Sequence, residues 1–249
     1  MGTVNPFSLS GKTILVTGAS SGIGKATAIL SADMGAKVIV TGRNRERLME
    51  TYAALAGEGH LWIPADLTAQ GERDELTGQV PSLDGIVHCA GVGHRMPAKN
   101  LTEAEVKSVM DTNFNAVVLL QASLLSRKKV QKGASIVLLS SRTAEVPTFA
   151  NSLYSASKGA LKSYARCLSL ELAPRKIRVN CICPAMVWTP LALNEGVTEE
   201  QLRGEETLYP LKRYGKPEDI ANLAVFLLSD ASSWMTGSCI DITGGSVSI

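Results

Sequence analysis

Seven short apolar runs, at 13–17, 37–41, 60–64, 85–89, 135–140, 177–183 and 238–242, alternate with segments of helical character, and this alternation limits the fold more than any other feature. The runs are nearly continuous in apolar residues, as in Ile14-Leu15-Val16. Such strands are buried on both faces, as in a parallel sheet covered by helices. Parallel neighbours need crossovers, and helical segments at 22–34, 45–55, 102–126, 152–173 and 217–228, with a weaker one at 70–79, supply them. The pattern predicts an α/β fold: one doubly wound parallel sheet of about seven strands, helices on both faces, in a single domain over 1–249. The stretch 184–217 is the least regular and reads as a loop with a short helix.

Composition closes off other classes. Apolar residues make up 45% and charged residues 19% of 249, which suits a packed globule rather than a disordered chain. A net charge of +2 with interspersed signs gives no field pointing to nucleic acid or an anionic membrane. The apolar stretch near 225–228 is too short to span a bilayer, and the first ten residues carry no secretory pattern. Gly2 hints at myristoylation, but Pro6 stands where that signal needs Ser or Thr. Five cysteines, none in a Cys-x-x-Cys pair, read as reduced thiols of a cytoplasmic protein. Three histidines without ligand-like spacing argue for no metal.

The first run leads into Thr17-Gly18-Ala19-Ser20-Ser21-Gly22-Ile23-Gly24, with a helix directly behind. Bare positions let the backbone turn sharply and approach a pyrophosphate, whose charge meets amide N–H groups at the helix N-terminus. In this context the turn predicts dinucleotide binding, with a purely structural turn as the alternative. The second run ends Thr41-Gly42-Arg43-Asn44, without the acid that would bind the ribose hydroxyls of NAD. Arg43 offers a cationic fork suited to a 2′-phosphate, so NADP (NADPH) is expected over NAD; alternatively Arg43, Arg45 and Arg47 merely begin a solvated helix.

Tyr154 and Lys158 stand four apart in a helical segment and so share a face. A phenol titrates near pH ~10 when free, and a neighbouring ammonium favours the phenolate, suiting it to general acid–base work. Alone, the spacing is one that any surface helix produces by chance. Ser140 and Ser141 follow an apolar strand, where open parallel sheets bind ligands, and a hydroxyl there can orient a substrate oxygen or simply end the strand.

Together these motifs resemble the short-chain dehydrogenase/reductase family over about residues 9–245. The resemblance implies a Rossmann fold and an NAD(P)-dependent oxidoreductase. Its catalytic tetrad falls on Asn113, Ser141, Tyr154 and Lys158: Tyr154 as acid or base, Ser141 orienting substrate, Lys158 binding the nicotinamide ribose and assisting Tyr154, Asn113 supporting a water-linked proton relay. Without the family pattern, Asn113 reads equally as a solvent-facing residue of a helix. The implied cofactor-binding residues are Gly18, Ser20, Ser21, Gly22, Ile23, Gly24, Arg43, Asp66, Leu67, Ala90, Gly91, Tyr154, Lys158, Pro184, Val187 and Thr189, with Asp66 at the adenine and Thr189 at the carboxamide.

Three positions depart from the family pattern: His88-Cys89 before Ala90-Gly91, Ala185 after Pro184, and Thr243 before the terminal glycines. Ala185 tolerates positive φ poorly and is expected to restrict the loop beside the nicotinamide.

The tail at 212–220, 226–230 and Thr236-Gly237 resembles the branch holding 3-oxoacyl-carrier-protein reductases, although sugar and alcohol dehydrogenases share it. The leading expectation is a 3-oxoacyl thioester reductase acting on a small carbonyl or alcohol, carried on an acyl-carrier protein or coenzyme A. A basic cluster, Arg127, Lys128, Lys129, Lys132, Arg175 and Lys176, either attracts such a carrier or is a solvated face. The rivals are a dehydrogenase of a sugar or other secondary alcohol, and a non-catalytic dinucleotide-binding regulator or scaffold. The stretch near 185–216 is expected to cover the substrate, and the resemblance implies a homotetramer or homodimer built on helices 102–126 and 152–173.

Overall fold

A computed structural model describes residues 5–193 and 198–245. Its strands are β1 (Thr13–Thr17), β2 (Lys37–Thr41), β3 (Leu61–Trp62), β4 (Leu83–His88), β5 (Val130–Leu139), β6 (Arg178–Pro184) and β7 (Cys239–Ile242). Nine α-helices lie among the described residues: α1 (Gly22–Asp33), α2 (Arg45–Ala53), α3 (Gln70–Gln79), α4 (Glu103–Met110), α5 (Ala116–Ser126), α6 (Ser152–Leu172), α7 (Pro190–Leu193), α8 (Glu199–Glu206) and α9 (Pro217–Leu228).

The strands form one seven-stranded sheet in the order β3-β2-β1-β4-β5-β6-β7, and every pair is parallel. The expected doubly wound architecture is what the chain adopts. Successive side chains leave a strand on opposite faces, so the continuous apolar runs feed two cores. Leu15, Ile86, Ile136 and Leu138 join α3, α5 and α6 on one face. Ile14, Val16, Val87 and Val137 join α1 and α9 on the other. Strand order reverses at β1, with β2 on one side and β4 on the other, which opens a crevice at the carboxyl ends of β1 and β4.

Several expected boundaries move for identifiable reasons. The run at 60–64 contributes only Leu61 and Trp62 as strand, because the His60 ring, not its backbone, pairs with β2: Val38 N–H donates to His60 Nδ1 at 3.0 Å. Pro64 has no N–H to continue the ladder. The helix expected over 102–126 is broken at 111–115 into a π-helical turn, closed by the Ala116 N–H on the Asp111 carbonyl. The loop expected at 184–217 holds two short helices, α7 and α8, among its described residues, and a small core in which Leu202, Tyr209 and Tyr214 pack on Met186 and Trp188.

Leu120 lies wholly buried on α5. Its truncation, Leu120→Ala, is expected to cost about 2–5 kcal/mol, read as a lower urea midpoint at unchanged slope.

Candidate active site

The turn after β1 is built from positions that exclude side chains. Gly18 and Gly22 have φ of 63° and 52°, in the left-handed region. A Cβ on Gly18 would stand 2.8 Å from the Ala90 backbone, and one on Gly24 would stand 2.2 Å from the Gly18 carbonyl oxygen. The turn is therefore pressed between the end of β4 and the start of α1. Ser21, the N-cap of α1, makes no side-chain cap bond, and the first turn holds no acid. The positive end of the helix thus faces the crevice without a protein anion to neutralise it. That bare cradle fits a dinucleotide pyrophosphate.

Around it lies a cavity of about 370 Å³ lined by Gly18, Ser20, Ser21, Gly22, Ile23, Gly24, Arg43, Asp66, Leu67, Ala90, Gly91 and Thr189, twelve of the sixteen residues expected to hold the cofactor. Asn44 accepts the Arg47 N–H at 2.9 Å and so begins α2 in a way that leaves both Arg43 and Arg47 lining this cavity. Arg47, expected only as part of a possible solvated helix start, is a site residue that sequence reading missed. Arg45 is not among the lining residues. Asp66 accepts from the N–H and hydroxyl of Thr68. Partial burial pushes its carboxyl up, but the Thr68 bonds and the charges of Arg43 and Arg73 outweigh this and hold it below the usual value.

A second cavity, of about 590 Å³, shares Ile23, Cys89, Gly91, Val92, Thr189 and Leu191 with the first, so the two open onto each other. Ser141, Tyr154, Lys158, Pro184 and Val187 line it. Tyr154 and Lys158 share a face of α6 as their spacing requires, with the Lys158 ammonium 5.9 Å from the Tyr154 ring centroid. Lys158 Nζ is buried and donates to the Leu139 carbonyl at 2.9 Å. Burial lowers its pKa to about 8, against the partial restoring effect of Cys89 and Cys181.

The two serines after β5 divide their work. Ser140 donates its hydroxyl to the Lys158 carbonyl at 2.8 Å and so ties α6 to the end of β5. Ser141 instead accepts from the N–H and hydroxyl of Thr143, at 3.2 and 2.9 Å. With both of those donors pointing inward, the Ser141 proton is directed elsewhere. Thr143 was not expected; its only sequence signal is a hydroxyl two residues on.

Asn113 is fully buried, not solvent-facing, and lines neither cavity. Its Oδ1 accepts the Val92 N–H at 2.8 Å, and its Nδ2 donates to the Val92 carbonyl and the Ser157 hydroxyl, each at 3.0 Å. A Cβ on Gly91 would lie 3.2 Å from both Asn113 Oδ1 and Lys158 Nζ. Asn113 and Lys158 thus meet at the bare backbone of Gly91.

The departures do not distort this arrangement. Ala185 is absent from the residues with positive φ, so the restriction expected of its side chain does not arise. His88 points away from both cavities and donates to Gln121 Oε1 at 3.0 Å. Burial drops its pKa to about 4, which keeps the ring neutral. Cys89 lines both cavities, and burial pushes its thiol up to about 12.

Comparison with known proteins gives a uniform result. A family model described as enoyl-(acyl carrier protein) reductase matches residues 18–246. An uncharacterised oxidoreductase of Methylorubrum extorquens is 35% identical, covering 95% of this chain and 98% of its own length. A 3-oxoacyl-[acyl-carrier-protein] reductase of Rickettsia felis is 32% identical over 95% of this chain and 97% of its own. The crystal structure of a short-chain dehydrogenase/reductase from Brucella melitensis, titled glucose/ribitol dehydrogenase, superimposes with a TM-score of 0.89 at 32% identity, covering 97% and 98% of the two chains.

His88 carries a pH dependence. Unfolded, its ring takes a proton near pH 6.5, whereas in the fold it stays neutral down to about 4. Between these values the unfolded chain binds the extra proton, so stability must fall as pH falls, by up to about 3 kcal/mol for a shift of this size. His88→Gln is expected to flatten that part of the stability profile in urea unfolding between pH 6.5 and 4.

Proposed function

This chain belongs to the short-chain dehydrogenase/reductase family, whose members are NAD(P)-dependent oxidoreductases, and on that premise we propose that it is an NADPH-dependent reductase of 3-oxoacyl thioesters. The observation that carries the catalytic reading is that Tyr154, Ser141 and Lys158 all line the second cavity, with the Lys158 ammonium beside Gly91, which lines both.

The bound nicotinamide supplies the hydride. The protein's part is to hold the carbonyl and move its proton. Ser141 donates its free hydroxyl proton to the substrate oxygen and sets its orientation. Tyr154 gives its phenolic proton to the same oxygen as the alcohol forms. Lys158, charged below about pH 8, steadies the phenolate left behind and holds the nicotinamide ribose. Asn113 keeps Val92 and Gly91 in place and supports the relay that reloads Tyr154.

NADP is preferred to NAD because Arg43 and Arg47 line the first cavity where an acid for the ribose hydroxyls would stand. The second cavity has an apolar side of Val146, Phe149, Met186, Leu202 and Leu208, which suits an acyl chain, while Arg142, Thr148, Asn151 and Glu205 line it as well and would meet polar groups of the substrate. Of the stretch expected to cover the substrate, residues 194–197 lie outside the described residues, and in this reading the cover comes from Leu202, Leu208 and Tyr209.

The basic cluster is not the carrier's docking face in this reading. Arg127 to Lys132 precede or open β5, and Arg175 and Lys176 precede β6, whereas Ser141 lies past the other end of β5, beyond Leu138; Val130 and Leu138 pair with Leu83 and His88 of β4, five residues or about 17 Å apart. Arg127 is paired with Asp74, and Lys129 and Arg175 are bound to carbonyls. Arg95, exposed at the wall of the second cavity, is placed to meet the phosphate or acids of coenzyme A or an acyl-carrier protein.

The five cysteines are free thiols, in keeping with a cytoplasmic setting, and among the described residues no helix is long and apolar enough to cross a membrane. Leu119 on α5 and Leu170 on α6 are 48% and 77% exposed, which supports a homodimer or homotetramer through those helices.

Tyr154→Phe is expected to lower kcat for NADPH oxidation with a 3-oxoacyl thioester by about 10²–10⁴-fold while cofactor affinity holds. Turnover of aldoses but of no 3-oxoacyl thioester would reject the substrate reading. Arg43→Ala should raise KM for NADPH about 10–100-fold, the loss of one or two charge-assisted bonds, and leave NADH nearly unchanged; equal effects on both cofactors would reject the preference.

A further inference from the structure

Three thiols lie on the α6 face of the sheet and take no part in the chemistry above. Cys181 and Cys183 point there from β6, and Cys239 from the edge strand β7 packs against the same core. Cys181 and Cys239 are register partners in the parallel pair, whereas Cys183 is opposite Asp241. Registered neighbours on adjacent strands project to one face with Cα atoms about 4.8 Å apart, inside the range of about 4.4–6.8 Å that a disulfide spans. Cys181 is wholly buried and Cys239 half-buried, so one sulfur of the pair is reachable from solvent and the other is held behind it.

The charges around the pair favour reaction at Cys239. Lys162 and Arg166, one turn apart on α6, both act on its sulfur, with Glu145 opposing them. A hydrogen bond from Cys181, then these two cations, hold the Cys239 thiol below its usual value, while the same bond and burial push Cys181 up. Exposed thiolates beside cations are the ones that oxidants find.

We propose that Cys239 and Cys181 are a redox modification site, in which a hydroperoxide oxidises Cys239 and Cys181 resolves it to an intramolecular disulfide stapling the edge strand β7 to β6. The Cys239 thiolate attacks one peroxide oxygen, the O–O bond breaks, and hydroxide (or alkoxide) leaves, giving a sulfenic acid. Cys181 then attacks that sulfur, its proton leaving with the hydroxyl as water, and the S–S bond replaces the S–O bond. Two thiols are oxidised and one peroxide is reduced. A bond between directly adjacent strands is of the strained kind that thiol reductants reverse.

The test is hydrogen peroxide treatment of the purified, folded protein, followed by alkylation and mass spectrometry. Expected are a loss of about 2 Da per chain, a peptide linking Cys181 to Cys239, and full reversal by dithiothreitol. Cys239→Ser and Cys181→Ala should each abolish the linked peptide, and Cys181→Ala should instead trap a sulfenic acid at Cys239 that a dimedone probe labels. Cys167→Ser, at an exposed thiol elsewhere on α6, should change nothing. A link from Cys239 to Cys183, bonds confined to Cys167, or five unreacted thiols after excess peroxide would each overturn the proposal.

Discussion

A buried ammonium holds this site together. Lys158 Nζ donates to the carbonyl of Leu139, the last residue of β5, and Ser140 returns a bond to the Lys158 carbonyl. This reciprocal clasp fixes the register of α6 against the sheet, and with it the place of Tyr154 one turn earlier. Taking a cation out of water is costly, and the fall of the Lys158 pKa to about 8 expresses that cost. The group lies between the bare backbone of Gly91 and the Tyr154 ring. Precision then comes from rigid elements instead of loops.

Asn113 extends the clasp to the third element. In an unbroken helix over 102–126 the residues around it would keep a 3.6-residue period; the π turn inserts one residue and rotates the register. The inserted turn aims Asn113 at Val92, where its amide satisfies both backbone groups. Asn113 is thus a backbone substitute, filling the place that a neighbouring strand would fill for Val92. Such turns carry a cost in helix geometry and are found where function repays it.

Much of this could be read from the residues, and the unread parts share a cause. Helices α3 and α9 fall where the sequence places them, because Pro217 and the acids Glu218 and Asp219 mark the start of α9. The glycine turn and the Tyr154–Lys158 pair were legible because local geometry dictates them. What local pattern does not encode is partnership across the chain. His60 ends a strand by lending its ring to Val38, 22 residues away in sequence. The wall of the second cavity includes Tyr209 and Tyr214, whose rings meet edge to face with centroids 5.0 Å apart, in a stretch with no periodicity to announce it. The basic cluster shows the same limit: charge is visible in sequence, but strand polarity decides which end of the sheet it lies at.

Electrostatics finally ties the cofactor end to the fold. Arg43 has no ion pair among the nine salt bridges of the described residues, yet its field acts on Asp66, which follows the adjacent strand, where the Ala65 N–H donates to the Gly42 carbonyl at 3.2 Å. Asp66 is meanwhile held by Thr68, whose two bonds to one carboxylate oxygen keep it from reaching over to neutralise the guanidinium. The crevice therefore keeps an acid and a cation on neighbouring strand ends without an ion pair between them. Because Thr68 follows β3 and Asn44 starts α2, that arrangement is set by the two chain segments leaving β3 and β2, whose ends border the cavity at the glycine turn.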